Sequence, residues 1–156
     1  MTNILLIDLS SIAHQEYHTS GNDPDPNAAA VKTVARIRAL ASGQAHVAIA
    51  ADSGKSFRHE LSADYKAQRD RTHNAAVAHQ IATAIDVLKA DGFPVWAAPG
   101  FEADDVLASA TALALLHEDI DVTIVSADKD MEQLVRQHVV IHKLDGRVFD
   151  EDKVLL

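Results

Sequence analysis

The most restrictive feature of this sequence is a repeated order: a short apolar run, then carboxylates, then a helical pattern. Apolar runs typical of buried strands occupy residues 4–7, 46–50, 94–97, 122–125 and 139–142. Helical patterns occupy residues 28–41, 74–89 and 102–117, with a shorter one at 129–136. Strands that alternate with helices predict an α/β fold with a mostly parallel central sheet and helices on both faces.

Length and composition narrow the class of protein. The 156 residues suffice for one ordinary domain, and 47% hydrophobic with 24% charged residues is typical of a globular protein. The chain has no cysteine, which excludes disulfides, thiolate metal sites and cysteine nucleophiles and is typical of a reducing, cytoplasmic setting. No apolar run approaches the roughly 18 residues of a membrane span, so no membrane association is expected.

The net charge of −9, from 23 acidic and 14 basic residues, by itself argues against a nucleic-acid partner. The placement of the acids matters more than their number, because each of four successive apolar runs is followed by carboxylates. These residues are Asp8, Asp52, Glu102, Asp104, Asp105, Asp128 and Asp130. The carboxyl ends of parallel strands meet at one edge of a sheet, so all seven are expected on one rim.

Each of these acids also has an ordinary interpretation, because a carboxylate at a helix start is commonly an N-cap. Capping does not explain the whole set, since seven clustered carboxylates repel one another unless cations neutralise them. Oxygen ligands without cysteine favour Mg²⁺ or Mn²⁺ over Zn²⁺. A cluster with room for two ions is typical of two-metal sites that hydrolyse phosphoesters.

A basic segment begins directly after Asp52. Residues 53–72 lack a clear period and carry a tyrosine among five basic residues: Lys55, Arg58, Tyr65, Lys66, Arg69 and Arg71. Basic side chains interleaved with an aromatic ring suit a phosphate backbone and a stacked base. The alternative is a solvated loop, but the segment would overhang the acidic rim, which favours nucleic-acid binding.

Five motifs in this order and spacing resemble the 5′-nuclease family, which comprises the 5′→3′ exonuclease domain of bacterial DNA polymerase I, phage 5′-exonucleases and flap endonucleases. The motifs are Ile7-Asp8-Leu9-Ser10-Ser11, Phe57-Arg58-His59-Glu60, Tyr65-Lys66-Ala67-Gln68-Arg69, Gly100-Phe101-Glu102-Ala103-Asp104-Asp105-Val106 and Ser126-Ala127-Asp128-Lys129-Asp130. The resemblance extends from residue 4 to about residue 156. It implies a single PIN-like N-terminal domain of this family over residues 1–156.

The resemblance also implies roles for individual residues. The seven acids would be the metal ligands, with Asp8, Asp104 and Asp128 also counted as catalytic. Lys66 would reach the scissile phosphate from a helical arch formed by a segment of about 53–75. The other nucleic-acid contacts would be Arg58, Tyr65, Arg69 and Arg71.

In the family this domain continues into a helix–hairpin–helix-like element that grips duplex DNA and carries another pair of metal-binding aspartates. The sequence stops at Leu156, about where that element would begin. We therefore expect the element to be absent from this chain, or supplied by a separate chain. We expect Mg²⁺ or Mn²⁺ at two sites, with the second site incomplete.

The resulting hypothesis is a cytoplasmic, bacterial or phage-encoded 5′→3′ exonuclease or flap endonuclease of DNA replication and repair. It would hydrolyse phosphodiester bonds near DNA 5′ ends or flaps by a two-metal mechanism, with RNA as a further substrate to be tested. One alternative is a truncated, non-catalytic nucleic-acid-binding or partner subunit. Another is a PIN-type ribonuclease, which the Tyr65-Lys66 segment disfavours.

Overall fold

A computed structural model of the chain describes residues 2–20, 23–52 and 71–151, with side chains from residue 76 onward in the last range. The strands are β1 Thr2–Asp8, β2 His46–Ala50, β3 Val95–Trp96, β4 Ile120–Val125, β5 Val139–His142 and β6 Val148–Phe149. The α-helices are α1 Leu9–Thr19, α2 Ala28–Ala41, α3 Arg71–Ala90 and α4 Ala103–Ala114, and a 3₁₀ helix covers Lys129–Leu134.

The strands form one six-stranded sheet in the order β3-β2-β1-β4-β5-β6. All neighbouring strands run parallel except β5 and β6, which are antiparallel. The predicted α/β class and the mostly parallel sheet are therefore confirmed. The strand order changes direction at β1, where β2 lies on one side and β4 on the other, and ligands of open α/β sheets bind at such a point.

Apolar side chains alternate between the two faces of the sheet and make two cores. Leu5 and Ile7 of β1 pack with α1, α2 and α3 on one face, through side chains such as Ile37 and Leu88. Leu6 of β1 packs on the other face with α4 and the 3₁₀ helix. This period of two, with both faces covered, explains why the strands are continuous apolar runs rather than alternating ones.

Helix α1 was not predicted from the sequence. It follows β1 without a loop, and its buried side consists only of Leu9, Ile12 and Ala13. Polar residues fill the remaining turns, so no apolar stripe runs along the whole helix. The helix begins because the Asp8 carboxylate accepts a hydrogen bond from the Ser11 backbone N–H, at 3.4 Å.

Other element bounds differ from the sequence-based ones by a few residues. Helix α3 begins at Arg71 rather than at residue 74, so residues 71–75 of the expected arch segment belong to this helix. Asn27 directly precedes α2, but its side chain makes no capping hydrogen bond to that helix. Gly146 lies at φ +93° in the turn between the antiparallel strands β5 and β6, which an Asp-Gly pair at this position favours.

None of the helices in the part of the chain that the structure describes is long and apolar enough to cross a membrane.

The two-faced core predicts how α4 contributes to stability. Leu107 is 1% exposed and Leu113, on the same helix, is 65% exposed. Leu107→Ala should lower the free energy of unfolding by about 2–5 kcal/mol because it leaves a cavity under the sheet. Leu113→Ala should change it by less than about 0.5 kcal/mol. Urea unfolding followed by circular dichroism measures both, and equal effects would contradict the assignment of the buried face.

Candidate active site

The strand register brings the ends of the central strands to one edge of the sheet. Asp8, the last residue of β1, pairs with Ala50 of β2, and Asp52 lies two residues beyond. Ile7 pairs with Val125 at the end of β4, so the segment that carries Asp128 begins beside Asp8. Asp8, Asp52 and Asp128 therefore follow the carboxyl ends of three neighbouring parallel strands, whereas a common rim for all seven acids stays a prediction.

Asp8 is the most buried of these acids, at 5% exposure. Its Oδ2 atom accepts hydrogen bonds from the Ser11 hydroxyl at 2.7 Å and from the Ser126 hydroxyl at 2.8 Å. Burial is the largest influence and raises the pKa of Asp8, the bonds from the two serines lower that pKa, and the nearby Asp52 raises it further. Asp8 is thus a carboxyl group whose charge is costly at this position.

The same two serines join Asp8 to the segment after β4. The Ser126 hydroxyl accepts from the Asp128 backbone N–H at 3.0 Å, and the Ser11 hydroxyl accepts from the Ala127 backbone N–H at 3.2 Å. No role was predicted for either serine from the sequence. The sequence nevertheless contained an indication of such a role, since both serines lie within the motifs quoted above. Ser11 is also one helical turn after Asp8.

Asp52 connects β2 to the start of α4. Its Oδ1 atom accepts from the Ala103 backbone N–H at 2.7 Å, so an exposed carboxylate lies at the positively polarised end of this helix. Asp105 Oδ2 accepts from the Glu102 backbone N–H at 3.1 Å, and Asp104 Oδ1 accepts from the Asp105 backbone N–H at 3.0 Å. The acids at this helix start therefore stabilise the helix as well.

Asp128 and Asp130 occupy the start of the 3₁₀ helix. Asp128 Oδ1 accepts from the Asp130 backbone N–H at 2.9 Å, which confirms that Asp128 is an N-cap. A carboxylate has two oxygens with about four lone-pair directions, so capping does not exclude metal binding. Asp128 is half-buried and Asp130 is exposed.

The chemistry of these acids fits a hard divalent cation. The donors are carboxylate oxygens, and the charge of the buried Asp8 carboxylate would be stabilised by a cation beside it. Within residues 2–20, 23–52 and 71–151, no three histidine or acidic side chains lie close enough together to hold one ion between them. The assignment of the seven acids as metal ligands remains a prediction.

The predicted nucleic-acid contacts fall mainly outside the described residues. Arg58, Tyr65, Lys66 and Arg69 lie between residues 53 and 70, as does Lys55. Arg71 is the first residue of α3, and its side chain is not described. Their roles therefore stay as predictions.

Burial of Asp8 predicts a stability change with pH. Folding raises the pKa of Asp8. The group therefore contributes its full stabilisation below about pH 4, which is the ordinary pKa of an aspartate. This stabilisation is lost as the pH rises through the higher pKa of Asp8 in the folded state. At pH 7 with EDTA, Asp8→Asn should therefore melt at a higher temperature than the unmodified chain, with the difference shrinking toward pH 4.

Asp86→Asn, which changes an exposed acid on α3, serves as the control and should leave the melting temperature almost unchanged. A lower melting temperature for Asp8→Asn at pH 7 would mean that the hydrogen bonds to the carboxylate outweigh its burial.

Comparison with known proteins places this arrangement in a family. Residues 3–155 match the family model described as "5'-3' exonuclease, N-terminal resolvase-like domain". The 5'-3' exonuclease of Aquifex aeolicus is 37% identical over 102 residues, which are 65% of this chain and 35% of the relative. DNA polymerase I of Lactococcus lactis subsp. cremoris is 33% identical over 162 aligned positions, covering 95% of this chain and 18% of the polymerase.

Two solved structures share the fold. The T5 5'-exonuclease with bound zinc superimposes with a TM-score of 0.75 at 26% identity, covering 95% of this chain and 58% of the exonuclease. The bacteriophage T5 D15 flap endonuclease, in a pseudo-enzyme–product complex with DNA and metal ions, gives a TM-score of 0.74 at 25% identity. The alignment covers 57% of this flap endonuclease, so the chain spans just over half the length of each phage protein.

The family match covers nearly the whole chain, and the fold matches phage nucleases of the same kind. The chain therefore belongs to the 5′-3′ exonuclease family, in which it corresponds to the N-terminal resolvase-like, PIN-like domain.

Proposed function

We propose that this chain is the catalytic domain of a metal-dependent 5′→3′ exonuclease or flap endonuclease that hydrolyses phosphodiester bonds near DNA 5′ ends. The observation that carries the proposal is the buried Asp8 carboxylate at the point where the strand order reverses, linked through Ser126 to the loop of Asp128. Family membership supplies the reaction class, and the phage flap endonuclease bound to DNA and metal ions supports the substrate.

The residues of the site would hold divalent cations and set the geometry around them. Asp8 and the acids of the two neighbouring loops would be the ligands, and Ser11 and Ser126 would orient the Asp8 carboxylate. When bound, two such cations supply Lewis acidity that activates water and stabilises the leaving oxygen. We propose Mg²⁺ or Mn²⁺ as these cations.

The basic segment would position the substrate. We propose that Lys66 contacts the scissile phosphate and offsets the negative charge that develops there during hydrolysis. Arg58, Arg69 and Arg71 would contact neighbouring phosphates, and Tyr65 would stack on a base.

A pair of substitutions separates metal binding from phosphate contact. With a labelled 5′-flap DNA and Mg²⁺, Asp104→Ala should lower the cleavage rate by at least about 100-fold and weaken metal binding. Lys66→Ala should lower the rate by about 100-fold while metal affinity stays nearly unchanged. Cleavage assays and Mn²⁺ titrations by electron paramagnetic resonance measure the two effects.

Asp86→Asn is the matched control, because it removes an exposed acid on α3 and should change neither rate nor affinity. Identical behaviour of Asp104→Ala and Lys66→Ala in the metal titration would refute the separate roles. No cleavage in Mg²⁺ or Mn²⁺, with metal binding intact, would refute catalysis by this chain alone.

A second candidate is a non-catalytic nucleic-acid-binding or partner subunit. One observation favours it: Asp8, Asp52, Asp105 and Asp128 all accept backbone N–H groups and so stabilise helix starts. These acids would then be retained for folding rather than for catalysis.

The two candidates make opposite predictions for a gel-shift experiment with flap DNA. A binding subunit should retain DNA without turnover, and Asp128→Asn should leave that binding unchanged. A nuclease should lose turnover on the same substitution. Parallel DNA and RNA flaps test the ribonuclease alternative, which predicts cleavage of RNA alone.

A further inference from the structure

The residue just beyond β5 is a buried lysine. Only 6% of the Lys143 side chain is exposed, although lysine is almost never fully buried unless it is paired. Because β5 is the neighbour of β4, Lys143 lies at the same edge of the sheet as the acids that follow β4. None of the sequence motifs includes this residue.

The ammonium group of Lys143 contacts both ends of the short segment that carries Asp128 and Asp130. Its Nζ atom lies 3.3 Å from the backbone carbonyl oxygen of Asp128 and 3.3 Å from Oε1 of Glu132. The ring of Phe149 on β6 covers it at 5.6 Å, as in a cation–π contact. A single side chain thus bridges residues 128 and 132 and anchors them to the β5–β6 hairpin.

This contact complements the serine bonds on the other side of the loop. Ser126 holds the Asp128 backbone N–H and connects it to Asp8, whereas Lys143 holds the Asp128 carbonyl. With both sides of its peptide backbone held, Asp128 has little freedom to move its carboxylate relative to Asp8. Residues of this kind around a metal site commonly change metal affinity 10- to 100-fold when replaced.

We propose that Lys143 is a positioning residue for metal binding, which holds the loop of Asp128 and Asp130 in the geometry that binds a divalent cation. The inference rests on the proposed function, because it takes these two acids as metal ligands. Lys143 would act through the loop and would itself contact neither metal nor substrate.

The sign of one substitution separates positioning from electrostatics. Lys143→Met keeps most of the apolar stem and removes a positive charge next to the Glu132 carboxylate, at the edge of the sheet that carries Asp128. Coulomb attraction alone would then make cation binding tighter. Loss of positioning makes it weaker, so the direction of the change identifies the role.

The experiment is a Mn²⁺ titration of the full chain, followed by electron paramagnetic resonance of the free ion, with folding checked by thermal melting. Lys143→Met should weaken Mn²⁺ binding by about 10-fold, and Lys143→Arg should recover most of the affinity. Arg147→Met is the matched control: Arg147 contacts the same Phe149 ring at 5.4 Å but pairs with Asp145, so its loss should not weaken binding.

Unchanged or tighter Mn²⁺ binding by Lys143→Met would overturn the proposal. If that variant does not fold, Lys143→Gln should weaken Mn²⁺ binding to the same extent. The shorter glutamine side chain keeps a polar group at this position but does not reach the Asp128 carbonyl. Failure of both variants to fold would assign Lys143 to the core alone.

Mn²⁺ binding without cleavage by the unmodified chain would refute the proposed function only, whereas absence of Mn²⁺ binding would refute both.

Discussion

The site depends on burying one carboxylate, Asp8, at the end of the central strand. Burial raises the pKa of Asp8, because it destabilises the charged carboxylate. This destabilisation is reduced because the hydroxyls of Ser11 and Ser126 both donate hydrogen bonds to the same oxygen. Those serines belong to two different elements, helix α1 and the segment after β4. Satisfying the buried charge therefore also fixes the entry to α1 and the path of the chain toward Asp128.

Several acids at this edge stabilise helix starts, and these are among the acids that we propose as metal ligands. Asp52 accepts a hydrogen bond from the first backbone N–H of α4, and Asp128 caps the N-terminus of the 3₁₀ helix. A helix start offers unpaired N–H groups and a partial positive charge, which stabilise a carboxylate before any cation is present. The capping and metal-site interpretations of the sequence are therefore compatible, and the fold can assemble an acidic edge without losing its helices.

Much of the architecture was predictable because its signals are local. Strand β2 at 46–50 and strand β5 at 139–142 have the predicted bounds, since each is a short, mostly apolar run that contributes to the core. Helix α1 was missed because its buried residues Leu9, Ile12 and Ala13 all lie in its first half, and its burial against α2 and α3 comes from tertiary packing. The contact of Lys143 with Asp128 joins residues 15 positions apart through a strand pairing, which local patterns do not encode.

The sequence by itself determined the alternation of strands and helices, the parallel sheet and the attachment of acids to strand ends, because apolar period and residue order are local properties. The motifs also indicated the family. Only the tertiary structure decided which hydroxyls meet Asp8, that Asp52 caps a helix from a neighbouring strand, and that a buried lysine holds the Asp128 loop. Such contacts depend on strand register and side-chain direction, which are set when the two cores close on the sheet.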